Sequence, residues 1–161
     1  MQLKIFTTGG SLDKGYSTRE SAFVVMEPQA ETILSEARVH LEFQVESLFR
    51  KDSLDLTDED RALIRQRVEV EACSRILITH GTDSMVETGR ALAGIPDKTI
   101  VLTGAMQPAA FRKTDGPFNL GFALACAQLL SPGVYVAMNG RVFHPGLTRK
   151  NLEKDRFEEM E

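Results

Sequence analysis

Three short stretches combine glycine with hydroxyl side chains, each just after an apolar run. They are Thr8-Gly9-Gly10-Ser11, His80-Gly81-Thr82-Asp83-Ser84 and Thr103-Gly104-Ala105-Met106-Gln107-Pro108. Glycine lets a backbone approach a ligand and frees N–H groups to face it. A hydroxyl beside such donors can attack a carbonyl or orient a substrate. The first stretch is equally compatible with a phosphate cradle, a catalytic hydroxyl or a tight turn. Asp83 adds a carboxylate, which could serve a site or only cap the helix that follows it. A phosphate-binding reading lacks the GxGxxG or GxxxxGK[ST] spacing, and Lys14 does not stand where a P-loop lysine would. His80 ends a strand and reads as a hydrogen-bonded structural histidine rather than a general base.

Chemistry at three loops needs a scaffold that brings them together. Leu3–Thr7, 75–80, 98–104 and 133–139 read as strands, the middle two nearly all apolar, as in strands covered on both faces. The alternating segment 39–49 reads as a half-exposed strand. Helices are predicted over 28–38, from an N-cap at Thr57 with Ile64, Val68 and Ala72 on one face, over 83–93 with Gly94 as terminator, and from Asp115 with Pro117 in the first turn. This last helix is apolar almost all round and is expected to be buried. Residues 17–25 read as a loop, and the closing Glu-Glu-Met-Glu as a solvated tail. Alternating strands and helices specify a three-layer α/β fold: a parallel sheet with helices on both faces, flavodoxin-like or Rossmann-like. In such a sheet the strand C-termini share one edge, and all three glycine-hydroxyl stretches fall there.

The totals bound the function. The chain of 161 residues carries 19 Lys plus Arg against 23 Asp plus Glu, which argues against nucleic-acid binding driven by clustered cations. No apolar run approaches ~18 residues, so no membrane span is expected. Cys73 and Cys126 read as small core residues rather than a disulfide, which with no signal peptide in view suggests a reducing, cytoplasmic setting.

The segments "TTGGSLDK", "ITHGTDSMVETG" and "VLTGAMQPAAFRKTDGPFNL" resemble, in order and spacing, the signatures of the bacterial-type L-asparaginases and glutaminases. The resemblance covers essentially the whole chain. It implies one N-terminal-type catalytic domain over 1–161, hydrolysing the side-chain amide of L-asparagine without cofactor or metal. The family nucleophile, a threonine, falls on Ser11. The lid tyrosine falls on Tyr16, and the second threonine and its aspartate on Thr82 and Asp83. The family lysine falls on Arg149 or Lys150. An arginine cannot release its proton, so Lys150 is favoured. The resemblance places the substrate α-carboxylate at Ser53, with Asp52 beside it and Leu54 where relatives carry glutamine. Gly10, Gly81 and Ala105 are implied as backbone contacts, and Asp115 as a structural helix start. Relatives continue into a smaller C-terminal domain that completes the neighbouring subunit's site. This chain is therefore expected to be a short form assembling as a homodimer or larger homo-oligomer. The rival expectation is an amino-acid-binding module that keeps the pocket without turnover.

Overall fold

A computed structural model describes residues 2–160. In chain order it contains β1 (Gln2–Gly9), β2 (Lys14–Ser17), β3 (Ala22–Val25), α1 (Ala30–Glu36), β4 (Glu42–Lys51), α2 (Asp58–Val70), β5 (Arg75–Thr79) and α3 (Met85–Ala91). β6 (Thr99–Thr103), α4 (Gly116–Leu129), β7 (Gly133–Met138), β8 (Arg141–Phe143), β9 (Thr148–Asn151) and β10 (Arg156–Glu159) follow. Single 3-10 turns at Ser11–Asp13, Ser53–Asp55 and Pro145–Leu147 interrupt the connections.

The main sheet has the order β4-β1-β5-β6-β7-β8. Its first five strands are parallel, in the doubly wound order whose direction of winding reverses between β1 and β5. Side chains alternate across the sheet and build two cores. On one face Leu3, Ile5, Leu77 and Val101 meet Ile33 and Leu34 of α1 and Leu120, Ala123 and Ala127 of α4. On the other, Phe6, Ile76, Ile78 and Leu102 meet Ile64 and Val68 of α2 and Met85 and Val86 of α3. The three layers expected from the alternation are present.

Local signals explain the element ends. Thr57 Oγ1 accepts the Asp60 N–H at 3.2 Å while Asp60 Oδ2 accepts the Thr57 N–H at 3.0 Å, a capping box that starts α2. Ala72 lies beyond the end of that helix and is exposed, so it does not extend the buried face of Ile64 and Val68.

Four expectations change. β8 runs antiparallel to β7, because Asn139-Gly140 forms a two-residue hairpin turn with φ of 49° and 81° and leaves no length for a crossover. Residues 17–25 are not a plain loop: β2 and β3 pair as a hairpin, with Ser17 Oγ accepting the Glu20 N–H inside the turn. The acidic end is not simply a solvated tail. Glu158 and Glu159 lie in β10, where Glu158 accepts from Arg149 and Asn151; Glu161 lies outside the described residues. α4 buries one side against the sheet, but Phe118 and Leu129 remain exposed. Both cysteines are free; Cys126 is buried and Cys73 half-buried.

Candidate active site

The winding reversal between β1 and β5 places the loops after these two strands side by side. Gly10, at φ +86°, lies so close that a Cβ there would collide with the backbone of Gly81. A Cβ on Gly81 would in turn collide with the Ser53 side chain. The glycines are required because the backbones of Gly10 and Gly81 and the side chain of Ser53 converge in a space with no room for a further Cβ. Ser11 follows Gly10 at the start of a 3-10 turn and is half-buried. Ser84 Oγ donates to the Ser53 carbonyl at 2.5 Å, tying the turn after β4 to the turn after β5. Ala109 N–H donates to the Leu12 carbonyl at 3.1 Å, tying the loop after β6 to the Ser11 turn.

The charged part of the site lies on the second loop. Ser84, not Asp83, occupies the N-cap position of α3, so the Asp83 carboxylate is not spent on the helix end. Lys150 Nζ donates to Asp83 Oδ1 at 2.7 Å and to Thr82 Oγ1 at 2.8 Å. Its side chain is only 11% exposed. Antiparallel pairing of β9 with β10, in which Lys150 faces the buried Phe157, carries it there. Arg149 is the next residue along the strand and points elsewhere, to Glu158 at 2.8 Å. Thr82, Asp83 and Lys150 are therefore one group, and Arg149 is outside it.

The remaining sequence candidates fall less evenly. Ser53 is buried against Gly81. Asp52 is engaged twice, by the Lys14 ammonium and by the Leu54 N–H. Ala105 is fully buried at the base of the third loop. Asp115 does stand at the start of α4, but its carboxylate does not cap that helix. It accepts from the Met106 and Gln107 N–H groups at 3.1 and 3.0 Å and from the amides of Asn119 and Asn139. It thus staples the third loop to β7. Tyr16 does not join the group. It sits opposite Phe23 in the hairpin, 55% exposed, ring against ring. The alternation of β2 sets that direction.

Two buried titratable groups flank the site. His80 lies between the Gly81 carbonyl and Thr88 Oγ1, 2.8 Å from each, as a structural histidine would. Burial above all, helped by the charge of Arg61, lowers its pKa to about 4. Asp13, buried two residues after Ser11, accepts the Gln29 N–H at 2.9 Å just before α1. Burial raises its pKa to about 6, against the opposing pull of that N–H and of Arg50. The signs of their linkage to stability are opposite. His80 contributes fully above its ordinary 6.5, and that contribution fades as pH falls toward about 4. Asp13 contributes fully below its ordinary 3.8, and that contribution is lost as pH rises through about 6. Asp13→Asn removes the second effect. Relative to the unsubstituted protein it should gain about 2 kcal/mol between pH 4.5 and 7.5, measured by chemical denaturation at both pH values. A difference that stays constant with pH would contradict this.

The sequence gives Asp13 and Asn139 no site role, Lys14 only the absence of a P-loop position, and Ser84 only membership of its glycine-hydroxyl loop. Asn139 had a local signal in the Asn-Gly turn. The others act through partners far away in the chain, for which no local pattern exists.

Comparison with known proteins gives a consistent result. Residues 2–158 match the family model described as "Asparaginase, N-terminal". The chain is 32% identical over 151 residues to a Haemophilus influenzae protein named "Probable L-asparaginase periplasmic", covering 87% of this chain and 43% of the relative. It is 32% identical over 152 residues to the L-asparaginase of Thermococcus kodakarensis, covering 88% and 45%. The structure of the thermostable L-asparaginase from that organism superposes with a TM-score of 0.84 at 27% identity, covering 99% of this chain and 51% of the other. The chain thus spans about half the length of the relatives it matches.

Proposed function

The chain belongs to the asparaginase family, and from that premise we propose that it hydrolyses the side-chain amide of L-asparagine to L-aspartate and ammonia. The observation that carries this reading is the Thr82–Asp83–Lys150 group, in which Lys150 of β9 meets the loop after β5 that packs, through Gly81, against Gly10 just before Ser11. Ser11 Oγ attacks the amide carbon. Its proton passes to the departing nitrogen, and ammonia leaves an acyl-enzyme. The backbone N–H groups of Ser11 and Thr82 face the developing oxyanion, whereas the Gly10 N–H is already given to the Lys51 carbonyl at 3.0 Å. Water then adds to the ester and regenerates Ser11 with release of aspartate. Asp83 balances the substrate ammonium, which needs an opposite charge on entering a cleft. Lys150, hydrogen-bonded to Thr82 Oγ1, moves protons for the attacking hydroxyl or water.

A cytoplasmic homodimer or larger homo-oligomer is part of the same proposal. The free Cys73 and Cys126 suit a reducing compartment. Relatives of named location differ: a Campylobacter jejuni structure is titled "probable cytoplasmic", whereas the Haemophilus protein is named periplasmic. The test is ammonia release from millimolar L-asparagine by the purified chain, with Thr82→Ala as control. Turnover that is absent in the unsubstituted chain overturns the proposal. Aspartate binding without turnover, seen by calorimetry, would instead indicate a binding module.

A further inference from the structure

Lys14 opens β2 three residues after Ser11, and its ammonium pairs with Asp52 Oδ2. Asp52 immediately precedes the turn Ser53–Asp55, and its Oδ1 accepts the Leu54 N–H at 3.2 Å. This is the turn that touches Gly81 through Ser53 and Ser84 through the Ser53 carbonyl. Partial burial alone would raise the Asp52 pKa. The Lys14 ammonium and the N–H groups of Leu54 and Ser53 outweigh it and hold the carboxyl below its ordinary range. An anion therefore stands permanently beside the Ser53–Asp55 turn. Asp55, at the far end of the turn, is exposed to solvent, where its charge is screened. Asp52 is the one that needs an answer.

We propose that Lys14 is a specificity and positioning residue: its ammonium cancels the Asp52 charge, so that the Ser53–Asp55 turn can accept the α-carboxylate of an amino-acid amide. The inference rests on the amidase reading above. Without Lys14, two carboxylates would face each other at this turn, and binding would weaken while the reacting groups stayed in place. The same ion pair also joins the nucleophile turn to the carboxylate turn, so a purely mechanical tether is the competing account.

Lys14→Met, alone and combined with Asp52→Asn, separates the two. Charge cancellation predicts that Lys14→Met raises KM for L-asparagine about tenfold with kcat changed less than about threefold. The double variant then recovers to within about threefold of the original KM, because no charge is left to cancel. A tether predicts no recovery, since both of its ends are gone. Should Lys14→Met fail to fold, Asp52→Asn alone decides. A freed ammonium beside the turn should lower KM by about threefold, and a tenfold rise overturns the proposal. Calorimetric titration of L-aspartate must give the same order of affinities. If the unsubstituted protein neither releases ammonia nor binds aspartate, the amidase reading falls and takes this inference with it. If it does either and Lys14→Met leaves KM and aspartate affinity unchanged, this inference alone is overturned.

Discussion

Ser11→Ala is expected to lower the rate of ammonia release from L-asparagine by at least ~10³-fold, while Ser11→Thr keeps or raises it. Ser11 is the hydroxyl that the first loop carries where the winding reverses between β1 and β5, directly after Gly10, which lies against the Gly81 backbone. Under the proposed mechanism, removing it leaves the oxyanion donors and the Asp83 carboxylate without the hydroxyl that forms the acyl-enzyme. A threonine would supply the same oxygen with a β-branch that restricts χ1, so the hydroxyl would spend less time misaimed. Single-turnover kinetics in the three forms checks both directions. Turnover that survives Ser11→Ala would move the nucleophile to Thr82, whose hydroxyl already has Lys150 at 2.8 Å.

The second large effect is expected at Lys150. Lys150→Met should lower kcat by ~10²- to 10⁴-fold, the range typical of losing a positioned proton-transfer group. Lys150→Arg should fail to restore it. A guanidinium can keep an ion pair with Asp83 but cannot release a proton near neutral pH. Comparing the two substitutions separates charge from proton transfer: if Arg restores the rate, Lys150 acts only by its charge. Arg149→Met is the neighbouring control. Arg149 is 63% exposed and paired with Glu158, and its loss should change kcat by less than about twofold.

Much of the scaffold was legible because it is written locally. The apolar runs of β5 and β6, the Thr57 capping box and the Pro117 start of α4 each depend on residues a few positions apart. The hairpins were less legible. Asn139-Gly140 is a strong turn signal, but Lys14–Val25 mixes polar and apolar residues and pairs only through a Ser17-led turn. The solvated reading of the acidic end failed at Glu158, whose composition is that of a tail while its partners Arg149 and Asn151 lie on β9. The buried reading of α4 held on its sheet-facing side and not at Phe118 and Leu129, because an apolar helix still has a side facing away from its sheet.

The sequence by itself determined the inventory of chemistry and the fold that gathers it: three glycine-hydroxyl loops, each following a strand, in an order that puts them on one edge. It also narrowed the family lysine to two neighbours. Only the tertiary structure brought Lys150 rather than Arg149 to Thr82 and Asp83, freed Asp83 from a capping role, set Tyr16 against Phe23 and tied Asp52 to Lys14. The physical reason is range. Periodicity, caps and turns act over a few residues and can be read along the chain. Lys150 meets Thr82 across 68 residues and Lys14 meets Asp52 across 38, through strands whose register is set by what they bury.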